Sequence, residues 1–257
     1  MTGAGDPPRV YRGSRKHILD WVESPGFVDD LRAMALPVKV TIPTPAAFMP
    51  RGYASPREAR LDQVDTNLPV LHDVRRELRD WWLVHKAGAN TPNWDLAAAC
   101  EIEGKSGLLL VEAKANWPEL QVAGKPLSAD ALTKSRENHD RIRMAVSTAR
   151  DGLEQAGFRT AISIDSHYQL ANRIAFMWKL ATLGVPTVLI YLGFTGDDGI
   201  SDAGKPFADA GEWNKAFNEY TRDAVLADVL ERRLDFGKVP AWILVRSRPV
   251  LHRSPPP

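Results

Sequence analysis

Three residues in this chain have the types and spacing to do chemistry together: Asp95, Glu112 and Lys114. Glu112 and Lys114 close the stretch "GLLLVEAK", where four apolar residues, Leu108 to Val111, run into an acid and a base two positions apart. In a β-strand alternate side chains share a face, so Glu112 and Lys114 project together while Ala113 points the other way. Charges delivered to the end of a buried strand require a partner or a metal. Asp95 stands near the head of the preceding strand candidate, "WDLAAACEI", and a hairpin turn at "EGKS" brings it to the same point. Two carboxylates beside backbone carbonyls and water form the hard, oxygen-rich surroundings that Mg²⁺ or Mn²⁺ prefers. A lysine alongside is placed to orient or polarise a nucleophile.

The spacing alone is weak evidence, because Glu103-Gly104-Lys105 repeats the Glu-x-Lys pattern in the adjacent polar turn. Context separates the copies. Only Glu112 and Lys114 follow an apolar strand, and only they have an Asp across the hairpin. The bland account of Glu112 and Lys114 is an ordinary ion pair where a strand emerges into solvent.

Several elements must position these residues. Residues 14 to 35 hold two short helical patterns separated by Ser24-Pro25-Gly26, and "PVKVTIP" at 37 to 43 alternates as a half-buried strand does. The proline-bearing stretch from 44 to 63 reads as an irregular loop. From Leu71 to His85, Leu71, Val74, Leu78, Trp81 and Trp82 fall on one helical face, and Glu77 lies about 40° outside Trp81, at the margin of that face. Residues 128 to 155 form a polar, peripheral helix or helix pair. "DSHYQLANRIAFMWKLATLG", 165 to 184, is a core helix ending at Gly184, with Gln169 and Arg173 four apart on one face. "VPTVLIYLGF", 185 to 194, has the apolar, β-branched character of a central strand. A helix around 223 to 234 and a last strand near 241 to 247 complete the pattern, an α/β protein with a central mixed β-sheet flanked by helices. With no repeat and no low-complexity linker, one domain over 1–257 is the economical reading, with 1–8 and 248–257 as flexible ends.

The order helix, strand headed by Asp95, strand ending in Glu112-Ala113-Lys114, later helix and apolar strand resembles the PD-(D/E)XK nuclease superfamily, the restriction-endonuclease-like fold. The residues carrying the likeness are "TPNWDLAAACEIEGKSGLLLVEAK", within a core of about 71 to 194 that is elaborated by N-terminal and helical insertions. The proline precedes the Asp by three positions instead of one, a small departure from the family's pattern. The resemblance implies a metal-dependent hydrolase of phosphodiester bonds, with Asp95 and Glu112 as Mg²⁺ ligands and Lys114 as the catalytic lysine. It further implies an acidic residue from the first helix, for which Glu77 is the match, and polar or basic residues from the later helix, here Gln169 and Arg173, the latter for a phosphate. Asn116, just past Lys114, is a substrate contact on the same basis. The ordinary alternatives are a Glu77 paired with Arg76 or Arg79 and an Arg173 whose stem packs on the core. Nucleic acid, DNA ahead of RNA, is the implied partner, and a homodimer is compatible with it.

Composition agrees with a soluble enzyme but supplies no field to attract a polyanion. The chain of 257 residues is 44% hydrophobic and 25% charged, and 33 basic against 32 acidic residues leave a net charge of +1. Any polyanion site must therefore be local, and near-neutrality mildly favours the competing reading, a non-catalytic binding or scaffolding protein that keeps the nuclease fold. The one cysteine, Cys100, sits in an apolar run as a buried thiol would, and no window has the length of a membrane span, so a cytoplasmic protein is expected. "GKSG" at 104 to 107 fails as a phosphate loop because Ala99 stands where the first glycine belongs. No Gly-x-Ser-x-Gly elbow and no metal-spaced histidines compete with the carboxylate site.

Overall fold

The computed structural model describes residues 11–66, 68–224 and 226–251. Helices α1 (Gly13–Val22) and α2 (Phe27–Met34) open the chain, and three two-residue strands follow: β1 (Val40–Thr41), β2 (Phe48–Met49) and β3 (Ala59–Arg60). Then come α3 (Arg75–Trp82), β4 (Asn93–Trp94), β5 (Leu96–Ile102) and β6 (Lys105–Lys114). After α4 (Thr133–Gln155) and α5 (Tyr168–Thr182), the chain continues through β7 (Thr187–Thr195), α6 (Ala210–Thr221), β8 (Arg233–Phe236) and β9 (Val239–Pro249).

The main sheet runs β1-β5-β6-β7-β9-β8, with β2 also paired to β5. β5 and β6 form the expected antiparallel hairpin, whose ladder from Leu96↔Val111 to Ile102↔Lys105 leaves Glu103 and Gly104 alone in the turn. Both turn residues have positive φ, 52° and 74°. This backbone matches the strand twist, and glycine tolerates it without strain. β7 lies parallel to β6, and β9 parallel to β7. A parallel neighbour needs a long crossover, supplied here by the segment carrying α4 and α5. The molecule is thus α/β, with a mixed sheet flanked by helices.

Strand parity sorts the core into two layers. Leu108 and Leu110 face α3, α4, α5 and α6, while Leu109, Val111 and Ala113 face α1 and α2. Each fully buried leucine stabilises the fold by about 2 kcal/mol. Glu112 and Lys114 continue the first of these faces, the side on which α5 packs. α5 runs antiparallel to β6 and β7. It ends in a Schellman arrangement at Gly184, with Val185 N donating to Leu180 O (2.9 Å) and Gly184 N to Ala181 O (3.1 Å). Its first turn therefore stands at the carboxyl ends of these strands and its last turn at their starts.

Three sequence expectations need correction. The helix anticipated around 223 to 234 is instead α6, thirteen residues earlier. Asp209 caps it by accepting from Glu212 N (2.9 Å), and Trp213, Ala216, Phe217 and Tyr220 form its buried stripe. At the end of the anticipated segment and just beyond it, β8 alternates exposed Arg233 and Asp235 with buried Leu234 and Phe236, a strand period. The loop from 44 to 63 contains β2 and β3, and β3 pairs with β4 so that Arg60 lies opposite Asn93. Arg248 and Pro249 belong to β9 rather than to a tail; positions 1–8 and 252–257 lie outside the described residues. Among the described residues no helix is long and apolar enough to cross a membrane. Cys100 is buried, and that burial, followed by the charge of Glu101, pushes its thiol up to about 12.

Candidate active site

At the carboxyl end of β6, Asp95, Glu112, Lys114 and Gln169 line one recess of about 230 Å³. The bend leading into β5 supplies Asp95, the end of β6 supplies Glu112 and Lys114, and the first turn of α5 supplies Gln169. Asp95 sits at the bend between β4 and β5, where its Oδ2 accepts from Ala113 N (2.8 Å), so a side chain takes over the next rung of the ladder. That bond fixes the carboxylate beside Glu112, the residue preceding Ala113.

Glu112 is 1% exposed and Lys114 5%. Both Glu112 oxygens are engaged: Oε1 accepts from Lys114 Nζ (2.6 Å) and Oε2 from Arg173 Nε (2.6 Å). Lys114 Nζ also donates to Gln169 Oε1 (2.8 Å). Arg173 spends the rest of its fork inside the protein, on Asn93 O (2.6 Å) and Asn172 Oδ1 (2.8 Å), and its guanidinium lies 4.5 Å from the Trp94 ring centre. It clamps Glu112, and each of its three nitrogens donates to a protein oxygen. The sequence placed it on the right helix face; the structure turns it toward Glu112.

The two carboxylates differ electrostatically. Burial, then repulsion from Glu112, pushes the Asp95 carboxyl from an ordinary 3.8 up to about 7. For Glu112, burial acts in the raising direction but is outweighed by the Arg173 and Lys114 charges, which hold its pKa below the usual carboxylate value. At neutral pH Glu112 is ionised and Asp95 is near its midpoint. Such splitting of paired titratable groups is a mark of functional sites and also of buried ion-pair networks.

Glu77 is not brought to this recess. It is exposed on α3, and Lys179 Nζ donates to its Oε1 (2.7 Å). Ten residues of α5 separate Lys179 from Gln169, about 15 Å along a helix axis. Asn116 is buried and acts as a cap, its Oδ1 accepting from Glu119 N (3.1 Å) at a short 3₁₀ turn. That turn delivers Glu119, which sequence reasoning missed, to the recess wall. Its Oε2 accepts from Ala115 N (2.8 Å) and its Oε1 from Ser14 N at the start of α1 (3.3 Å). The signal was present as Asn-x-x-Glu at 116–119, a capping pattern that marks a turn. His167 opens α5 in a left-handed conformation and packs on Tyr220, with ring centres 5.1 Å apart.

No family model, no curated protein and no solved structure matches this chain. Among the described residues no three acidic, histidine or cysteine side chains are gathered as metal ligands. A Mg²⁺ ion does not require three, since it commonly takes one or two carboxylates and keeps water or substrate oxygens in its other positions. Asp95 and Glu112 fit that pattern. Their mutual repulsion, expressed in the raised Asp95 pKa, is what a divalent cation would relieve.

Proposed function

We propose that the protein is a metal-dependent nuclease of the PD-(D/E)XK type, built on a restriction-endonuclease-like core and hydrolysing phosphodiester bonds in nucleic acid, DNA ahead of RNA. One observation carries the reading: Asp95, Glu112, Lys114 and Gln169 meet at one recess from the hairpin and the later helix, the elements whose order carries the family resemblance. The recess also lies outside the carboxyl ends of parallel strands, where open α/β sheets take their ligands.

In this reading Asp95 and Glu112 hold Mg²⁺ or Mn²⁺, which supplies positive charge opposite the phosphodiester and lowers the pKa of water. The protein's own groups do the rest. Lys114, held by Glu112 and Gln169, presents an ammonium to the nucleophile or to the charge developing on the phosphate. Gln169 orients that ammonium without adding charge. Arg173 keeps Glu112 ionised and pointed into the recess.

Purified protein with Mg²⁺ or Mn²⁺ should nick or degrade nucleic acid, and Lys114→Ala should remain folded and inactive. Equal cleavage by wild type and Lys114→Ala would sink the proposal. The second reading, a non-catalytic binding protein on the same fold, is favoured by the engagement of both Glu112 oxygens by protein cations. A metal titration separates the two: under the nuclease reading Mg²⁺ raises the melting temperature of wild type but not of Asp95→Asn.

A further inference from the structure

The catalytic recess is one end of a longer groove. It shares Asp95, Gln121 and Gln169 with a neighbouring cavity of about 470 Å³, which shares Glu58, Asn90 and Asn93 with a third of about 460 Å³. The two ends differ in charge. The lining of the far cavity holds Arg15, Arg57 and Arg60 with Glu58, whereas that of the recess holds Asp95, Glu112 and Glu119 with Lys114.

The basic end is built into the fold next to the site. β3 pairs with β4, placing Arg60 directly opposite Asn93, two residues before Asp95, and Arg60 Nη1 donates to Asn90 Oδ1. Arg15 is held between Glu58 and the carbonyl of Pro56, and its guanidinium lies 5.8 Å from the centre of the Tyr11 ring. Tyr11 also lines this cavity. An aromatic face among guanidinium groups, joined by an amide-lined floor to the reactive lysine, is the composition of a surface that stacks a base and tracks a backbone.

We propose that this groove is the track of a single nucleic-acid strand, with Arg57 and Arg60 holding backbone phosphates and Tyr11 stacking a base, so that a phosphate farther along the strand is presented at Lys114. The inference rests on the nuclease reading and names the form of its substrate. Single-strandedness follows from burial. Lys114 and Glu112 are 5% and 1% exposed within the recess, and a phosphate must enter it to reach them. A duplex, stiff over about 50 nm, carries its phosphates on convex ridges. A single strand folds its backbone inward at little cost.

The test is binding of short fluorescent oligonucleotides, as single-stranded DNA, single-stranded RNA and a hairpin duplex, with Ca²⁺ in place of Mg²⁺, alongside cleavage kinetics with Mg²⁺. Wild type should bind a single strand of one or both sugars at least tenfold tighter than the duplex; equal affinity for the duplex overturns the proposal. Arg57→Ala/Arg60→Ala should weaken binding at least tenfold and raise KM with little change in kcat. It should also flatten the slope of log affinity against log salt by about 1.4, the loss of two phosphates at about 0.7 each. Tyr11→Ala should weaken binding and Tyr11→Phe restore it, with the melting temperature of both variants unchanged, which separates stacking on a base from a folding defect. Unchanged affinity, salt slope and KM in these variants, with Lys114-dependent cleavage intact, would discard the track and leave the nuclease reading standing. Tight single-strand binding lost in the arginine variant, without Lys114-dependent cleavage, would keep the track and discard the nuclease.

Discussion

The two ends of β6 carry the same three-residue pattern and behave in opposite ways. At the first end, Glu103 and Gly104 form the turn and Lys105 opens the strand. Glu103 and Lys105 are exposed, and Glu103 pairs with Arg233 in the open. At the other, Glu112 and Lys114 are buried, paired with each other, and tied into α5 through Gln169 and Arg173. An exposed pair is worth about 0–1 kcal/mol, and either partner can be lost with little consequence. A buried pair has given up its hydration, so each charge depends on the others. The same letters are thus solvation at one end and a coupled network at the other, and the comparison can be broken at graded points.

The largest effect should come from Lys114→Ala, or Lys114→Met where the alkyl stem matters for packing. Either variant should lower cleavage by at least about 10³-fold, or ~4 kcal/mol on the barrier. Single-turnover kinetics with Mg²⁺ would check this, and retention of more than a tenth of the activity would place the chemistry elsewhere.

Arg173→Ala should come next, as a stability effect. It strips Glu112 of one cationic partner and leaves Asn93 O without its donor. The expected cost is about 3 kcal/mol in urea unfolding. A loss below about 1 kcal/mol would mean that water replaces the guanidinium, and the recess would then be wetter than its burial implies.

Asp95→Asn should move stability the other way. A carboxyl whose pKa rises from 3.8 to about 7 on folding contributes stability that is fully present below about pH 4 and lost as pH rises through about 7. Metal-free wild type should therefore lose stability across that window, while Glu112, whose pKa is lowered, loses its contribution only as the solution becomes acidic. The amide can still accept from Ala113 N and has no charge to bury, so at pH 8 Asp95→Asn should be more stable on the order of 2 kcal/mol. Thermal melts from pH 4 to 8 would show a flat profile for the variant where wild type slopes downward; parallel profiles would contradict the raised Asp95 pKa.

The same contrast explains which parts of the molecule were legible in the sequence. Strand parity fixed the shared face of Glu112 and Lys114, and the apolar run identified the buried copy, because both depend on local periodicity alone. The hairpin was legible for the same reason. Glu77 was misjudged because amphipathicity reports a helix face but not its height along the neighbour it packs on, and α3 meets α5 near Lys179 rather than near Gln169. Arg173 was placed on the correct face, but whether that face meets a carboxylate or a substrate depends on β4 and β6, whose Asn93 and Glu112 stand eighty and sixty-one residues before it in the chain. Glu119 arrives through a 3₁₀ turn, which has no periodicity to read and is signalled only by the Asn-x-x-Glu cap at 116–119. The misplaced α6 is a different case: the Asp209 cap and the apolar spacing of 213 to 220 were both visible and were outweighed by the charged stretch beyond them.

The smallest effect belongs to the exposed end of β6. Glu103 adopts φ 52° ahead of Gly104 at 74°, a two-residue turn that favours Asn-Gly over Glu-Gly. Asparagine visits the left-handed region more readily than glutamate, which is a gain of a few tenths of a kcal/mol, while the exposed bond to Arg233 that disappears is worth a similar amount. Glu103→Asn should therefore leave stability within about 0.5 kcal/mol of wild type and cleavage unchanged. The two terms separate in salt, because screening weakens only the ion pair: at about 1 M NaCl the Asn variant should overtake wild type in urea unfolding. If Glu103→Asn instead altered cleavage, the turn would be coupled to the recess through the length of β6, and the separation of the two ends would fail.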